Sequence, residues 1–502
     1  MAGPGSYDQS KKPADLASGK RRLVLQGAPR DAYPTILRRP AGEIAPASFG
    51  QEQIWLHSQL APELPLYTES LTIRRRGPLD PDALIASFRE MVRRHEIWRT
   101  TFEWSQGQLI QLTHPDHEPD IRVTDLRHLP QVEREPAALL LAAEDLRRPF
   151  ALSREPGVRP HLVTLADDDH RLFLCLHHMV FDGISIYRVF LPELAALYEA
   201  RVIGAPSPLA EPQLQYADFA HWQRRSVGDT ALEPLVGYWR TQLSGAPSMI
   251  ALPADHPRPG SQSFRGGLVR FQVPSDLTAA ARRTAQQESC SLFMLLLAGF
   301  AITLHRLSGQ SDMLIGSVSG GRDHPELERL MGYFLRTLVI RADLRGNPSF
   351  REFLRRMRDV LVEALCHDVV PFQRLVQAVA PDRDLSRSPL FQVTFSIEPP
   401  MPELGPQWDL SEMDTGTAVS KFDLSIELED RGEAIIGRAI YSLDLFEAST
   451  ISDLLSDWSK VLRSAVSDPR QKLQQLVGEQ QAPTSLDGAD QHEKSREGST
   501  RH

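Results

Sequence analysis

The chain has 502 residues, 41 % hydrophobic and 24 % charged, the balance of a soluble globular protein long enough for two domains with full cores. Its 56 basic residues against 65 acidic ones leave a net charge of −9, which argues against nucleic acid as the main partner. Three cysteines, Cys175, Cys290 and Cys366, lie far apart in apolar contexts, which argues against disulfides and a zinc site and fits a reducing cytoplasm. The N-terminus is polar without a signal-peptide pattern, and the longest apolar run, Phe293 to Leu304, falls short of the ~20 residues of a spanning helix. A cytosolic protein is expected.

Residues 1–19, rich in Gly, Ser, Lys and Pro, read as a disordered leader. In residues 20–44 two short β-prone runs flank a Gly/Pro/Asp turn, with basic pairs Arg21-Arg22 and Arg38-Arg39 at the ends. A β-hairpin is expected there. It either packs on the first lobe or offers a partner's short acidic peptide a platform, by strand addition and charge.

A first lobe is expected over 45–225. It opens on a helix capped by Ser48, and Asp80-Pro81 starts a second helix in which Leu84, Phe88, Met91, Val92 and His95 recur at helical spacing. Strands around Leu109–Leu112 and His161–Leu165 precede the run Arg171–Leu176, whose length and apolar content suit a buried strand. That run feeds His177-His178-Met179-Val180-Phe181-Asp182-Gly183. Neighbouring side chains on a strand point to opposite faces, so only one of the two histidines can look into a given cavity. An imidazole titrates near pH ~6.5 and can take or give a proton at neutral pH. A helix then runs to about Tyr198, with Pro192 kinking or restarting it. The loop at 204–213 and the stretch Tyr216–Gln223 bridge to a second lobe.

That lobe, over 226–479, repeats the α/β alternation. Leu292–Leu307 reads as a buried helix and Ser349–Leu365 as an amphipathic one. Met313–Val318, Leu390–Ile397, Phe422–Leu428 and Ala434–Tyr441 read as strands, and 480–502 as a flexible tail.

Several of these stretches, in this order, resemble the condensation domains of non-ribosomal peptide synthetases, within the chloramphenicol-acetyltransferase-like superfamily. Ser48-x-x-Gln51-x-x-x-Trp55 is similar to the opening motif, and Arg94-His95-Glu96-x-x-Arg99-Thr100-x-Phe102 to the second, with Trp98 where Leu is usual. His177 to Gly183 matches the His-His-x-x-x-Asp-Gly active-site motif. Tyr216-x-Asp218-Phe219-Ala220-x-Trp222-Gln223, Gly332–Leu338, His367–Phe372 and Arg383-x-x-Ser386-Arg387-x-Pro389-Leu390-Phe391-Gln392 resemble the remaining ones.

The resemblance implies an α/β fold of two chloramphenicol-acetyltransferase-like lobes, a V-shaped pseudo-dimer with a central tunnel. It implies acyl transfer from a carrier protein's 4′-phosphopantetheinyl thioester to an amine or hydroxyl acceptor, with no cofactor bound by the enzyme itself. His178 would be the central catalytic residue and Gly183 would leave room at the oxyanion. His177 and Asp182 would be structural, Asp182 pairing with Arg322. Ser185, just after the motif, is a candidate substrate contact. The fifth motif usually carries Val-Asn where this chain has Leu335-Arg336. Arg336 is therefore either a tunnel-facing guanidinium that binds an acceptor carboxylate or a solvent-facing or lobe-bridging arginine. With no adenylation or carrier domain in sight, a free-standing enzyme that recruits an acyl or peptidyl carrier protein in trans is expected, with the hairpin and Arg21, Arg22, Arg38 and Arg39 as docking element. The competing readings are a free acyl-CoA acyltransferase and a catalytically silent recruitment platform.

Overall fold

A computed structural model of the chain describes residues 35–40, 42–379, 384–399, 407–412 and 418–477. The expected leader, Arg21, Arg22, most of the expected hairpin, Arg383 and the expected tail lie outside them. The strands are β1 (Ala45–Pro46), β2 (Thr68–Arg76), β3 (Thr100–Ser105), β4 (Gln108–Thr113), β5 (Arg122–Asp125), β6 (Val158–Ala166) and β7 (Asp169–His177). There follow β8 (Gly266–Val273), β9 (Asp312–Ser319), β10 (Arg336–Asp343), β11 (Val393–Glu398), β12 (Trp408–Glu412), β13 (Leu424–Asp430) and β14 (Ile435–Ser442).

Each lobe is a mixed sheet packed by helices. The second is a six-stranded sheet of order β10-β9-β11-β13-β14-β8, and its helix Leu292–Ser308 is buried through most of its length, as its apolar composition requires. Ser291 caps that helix by accepting from Met294 N at 3.1 Å, and Gly309 ends it at φ +71°. In the first lobe the amphipathic helix Pro81–Arg94 is capped by Asp80 and buries Leu84, Phe88, Met91 and Val92. Phe88, Trp98 and Phe190 meet with ring centroids 4.8–6.0 Å apart. Each buried ring of this kind contributes roughly 1.5–3 kcal/mol. Pro192 is accommodated by a π-helical turn, Ile186–Phe190, which runs into the helix Leu191–Val202 without leaving helical backbone angles.

The division of the chain at 225/226 does not hold for the sheets. The first lobe's sheet has the order β12-β2-β7-β6-β5, so its edge strand β12 comes from far along the chain. Trp408 to Glu412 pair antiparallel with Arg75 to Leu71. Without β12, β2 would present a row of unpaired backbone groups, so the crossing strand closes a sheet edge and ties the lobes together. Trp408 lies under the Arg75 guanidinium, 4.7 Å from its ring centroid, and edge-on to Tyr198.

The described end of the expected hairpin, 35–40, has no strand. Ile36 is buried, and Arg39 is bound into the first lobe, donating to Asp218 at 2.9 Å and to Glu96 at 2.6 Å. Its charge is therefore used internally and is not offered to a partner, whereas Arg38 is exposed.

Candidate active site

Strand β7 delivers the histidine motif to the junction of the lobes. Backbone pairing of Thr68 with His177 and donation from His178 N to Tyr67 O at 2.9 Å carry the ladder to its end. The chain then turns through a single helical turn, His178–Val180. As strand alternation requires, the two imidazoles diverge. His177 turns to the far face, where its Nδ1 accepts from Met179 N at 3.3 Å and Phe150 packs edge-on at 5.9 Å. Burial, with help from His178 and Lys421, pushes its pKa down to about 3, so it stays neutral.

His178 faces a cavity of about 200 Å³ lined by both lobes. Its ring stacks on Phe181, with centroids 4.6 Å apart and planes 4° from parallel, and Tyr333 meets it edge-on at 5.9 Å. Nδ1 has no hydrogen-bond partner among the described residues, and Nε2 stands 3.7 Å from Glu69 Oε1, beyond hydrogen-bond range. The imidazole is thus held by its faces, with Nδ1 buried and Nε2 the nitrogen left on the cavity side.

Asp182 does not reach this cavity. It is fully buried and anchors the turn: Oδ1 accepts from Ser185 N at 2.7 Å, while Oδ2 accepts from Arg322 Nη1 at 2.6 Å and Phe334 N at 3.0 Å. Arg322 also donates to Ser185 Oγ at 2.8 Å and to the carbonyls of Leu327 and Leu330, and lies over the Phe334 ring. The second lobe's loop, approaching through Gly332, completes the junction. Its φ is +149°, and a Cβ there would fall 1.9 Å from Tyr216 Cδ2, so only glycine admits the contact. The Tyr216 hydroxyl donates to Tyr333 O beside it.

Charged groups that the sequence did not single out form one wall of the cavity. Glu427 and Arg438 are cross-strand partners on β13 and β14 and form an ion pair. Arg438 also stands 3.7 Å from Glu69 on β2, and Lys421 lies over the Tyr67 ring. Burial alone would raise Glu69, but the neighbouring His178, Arg438 and Lys421 outweigh it and hold the carboxyl below the usual carboxylate range. Glu398, the last residue of β11, goes the other way: burial, and then Glu427, push it up to about 7.

A family model described as the condensation domain matches residues 42–483. The chain belongs to the condensation-domain family. It is 37 % identical over 454 residues to a linear gramicidin synthase of Brevibacillus parabrevis, covering 90 % of this chain and 6 % of that one. It is 40 % identical over 468 residues to phosphinothricin tripeptide synthetase PhsC of Streptomyces viridochromogenes, covering 92 % of this chain and 43 % of that one. Among solved structures, the X-domain from teicoplanin biosynthesis superposes with a TM-score of 0.76 at 29 % identity, over 88 % of this chain and 99 % of that one. The chain therefore spans less than half the length of these curated synthetases, and its fold is the two-lobed chloramphenicol-acetyltransferase-like one.

Within this condensation domain, two expected substrate contacts are placed elsewhere. Ser185 is fully buried, its hydroxyl 2.8 Å from Asp182 Oδ1 and 2.7 Å from Gly332 O, so it braces the junction and touches no substrate. Arg336 donates to Asp323 at 2.7 Å and to Asp368 at 3.0 Å, so of its two expected roles the internal ion pair is the one the geometry favours, since two carboxylates already neutralise the guanidinium. No three His, Cys, Asp or Glu side chains among the described residues are grouped to hold a metal ion. No single helix among them is long and apolar enough to cross a membrane.

Proposed function

We propose that this condensation domain transfers an acyl group from the phosphopantetheinyl thioester of an acyl or peptidyl carrier protein to a small nucleophilic acceptor, with His178 as the catalytic residue. One observation carries the reading: in an interlobe cavity, an imidazole is locked by stacking with Nδ1 buried, while Nε2, on the cavity side, lies beyond hydrogen-bond range of its nearest carboxylate, Glu69. The thioester enters from the carrier, and the acceptor nitrogen or oxygen attacks its carbonyl carbon. His178 takes the proton from the attacking atom and returns it to the departing thiolate. Gly183, expected to leave the oxyanion room, instead faces the Glu398 carboxylate, so no oxyanion space is assigned beside it. Such proton transfer is worth roughly 10²–10⁴ in rate, and holding donor and acceptor together adds more.

The basic segment carrying Arg21, Arg22 and Arg38 would dock a short acidic peptide of the carrier's chain. Arg39, consumed by Glu96 and Asp218, drops out of that role.

The test is intact-protein mass spectrometry of an acyl-loaded carrier mixed with the enzyme and panels of amines and alcohols, beside the same acyl group on coenzyme A. Acceptor-dependent unloading of the carrier supports the reading. Consumption of acyl-coenzyme A alone would favour a free acyltransferase, and inertness towards both a recruitment platform.

A further inference from the structure

We propose that Glu398 is a second catalytic residue, which binds the ammonium group of an amine acceptor and takes its first proton. The inference rests on the reading of this cavity as an acyl-transfer site and narrows its acceptor to amines.

Glu398 ends β11 and lines the same cavity as His178 and Gly183. Its carboxylate lies so close over Gly183 that a Cβ there would stand 2.6 Å from Oε2. The motif's glycine thus makes room for this carboxylate.

The charged groups around Glu398 come from every neighbouring element. Glu427 on β13 shares Arg438 of β14 with Glu69 of β2, Asp182 is tied to Arg322, Lys421 lies over Tyr67, and His178 borders the same space. The cations are therefore distributed among other partners, and Glu398 has no hydrogen bond or ion pair among the described residues. A site with one carboxylate left over is complementary to a cation.

An amine arrives mostly as its ammonium, which has no lone pair with which to attack. A free α-amino group titrates near ~7.7–8.0, within about a unit of the value near 7 at which Glu398 is held by burial and Glu427. The ammonium gives a proton to the carboxylate, leaving a neutral amine and a carboxylic acid. The amine lone pair forms the C–N bond and the C–S bond breaks. His178 takes the second proton and delivers it to the thiolate, and the acid returns its proton to water. The sum is ammonium plus thioester giving amide, thiol and a proton.

The test compares acceptors that differ only at the nucleophile, alaninamide against lactamide and phenylalaninamide against phenyllactamide, with an octanoyl-loaded carrier as donor. In Glu398→Gln, selectivity for amine over alcohol should fall 10–100-fold at pH 7, and an ionisation near pH 7 should vanish from the amine pH–rate profile. Glu398→Asp should recover part of both. Unchanged selectivity in Glu398→Gln would overturn the proposal. If the wild-type enzyme transfers to no acceptor, the acyl-transfer reading has failed, and calorimetric titration with alaninamide at pH 7 decides the remainder. Binding weakened at least fivefold in Glu398→Gln keeps Glu398 as the ammonium site, and equal binding removes it.

Discussion

Replacing Arg322 by methionine tests whether the lobe junction is built as described. The guanidinium is 4 % exposed and its partner Asp182 is fully buried. It donates to Asp182, Ser185 Oγ, Leu327 O and Leu330 O. Methionine fills the space over Phe334 but removes these bonds and strands a buried carboxylate. Breaking one partner of a buried pair costs about 3–5 kcal/mol, against about 0–1 for an exposed pair. For a cooperative unit the size of one lobe, roughly 2–4 °C is lost per kcal/mol, so the melting temperature should fall by roughly 6–20 °C. Calorimetry of wild type, Arg322→Met, Asp182→Asn and the double variant measures both the loss and the coupling. The double variant should be less destabilised than the sum of the singles by about 2 kcal/mol or more. A fall under about 2 °C in Arg322→Met, or strict additivity, would refute the account of the junction.

The other predictions are narrower. Gly332→Ala should cost several kcal/mol and impair soluble expression, because its Cβ would meet the Tyr216 ring; a wild-type melting temperature would show that the loop has slack. Arg336→Leu should lower the melting temperature, because Asp368 is then left buried without this partner, while KM for carboxylate-bearing and carboxylate-free acceptors changes alike. A selective rise for the carboxylate-bearing ones would restore Arg336 as a substrate contact. Glu398 also predicts a pH dependence of stability. Its folded pKa near 7 exceeds the unfolded value near ~4.3, so the folded state binds the proton more tightly, and stability is lost as pH rises through that window. Because the group opens on the cavity, the loss is of order 1–3 kcal/mol. The melting temperature of Glu398→Gln relative to wild type should accordingly rise between pH 5 and pH 8, and a constant difference would contradict the assignment.

The parts of the site legible in the sequence are those written locally. Strand alternation already required His177 and His178 to face apart, and Pro192 marked an irregularity in its helix. The Asp182–Arg322 pair spans 140 residues, and only the family resemblance pointed to it. Arg336 stayed open between two readings because Asp368, which pairs with it, lies 32 residues away, and no spacing rule connects them. Glu69, Glu398, Glu427 and Arg438 sit on four different strands. Which of their faces meet depends on sheet order and register, and a single chain's pattern does not record these. Strand β12 escaped notice for the same reason, since its partner β2 lies far earlier in the chain.

The central claim is that His178 transfers the protons of the acyl-transfer step, and single-turnover unloading of an acyl-carrier protein tests it most directly. The rate is followed by intact-protein mass spectrometry at saturating acceptor in wild type and His178→Ala. The account predicts a rate lower by about 10²–10⁴ from an enzyme that remains folded, since the imidazole bears no hydrogen bond whose loss would unfold the turn. Unloading at the wild-type rate by a folded His178→Ala enzyme would contradict it.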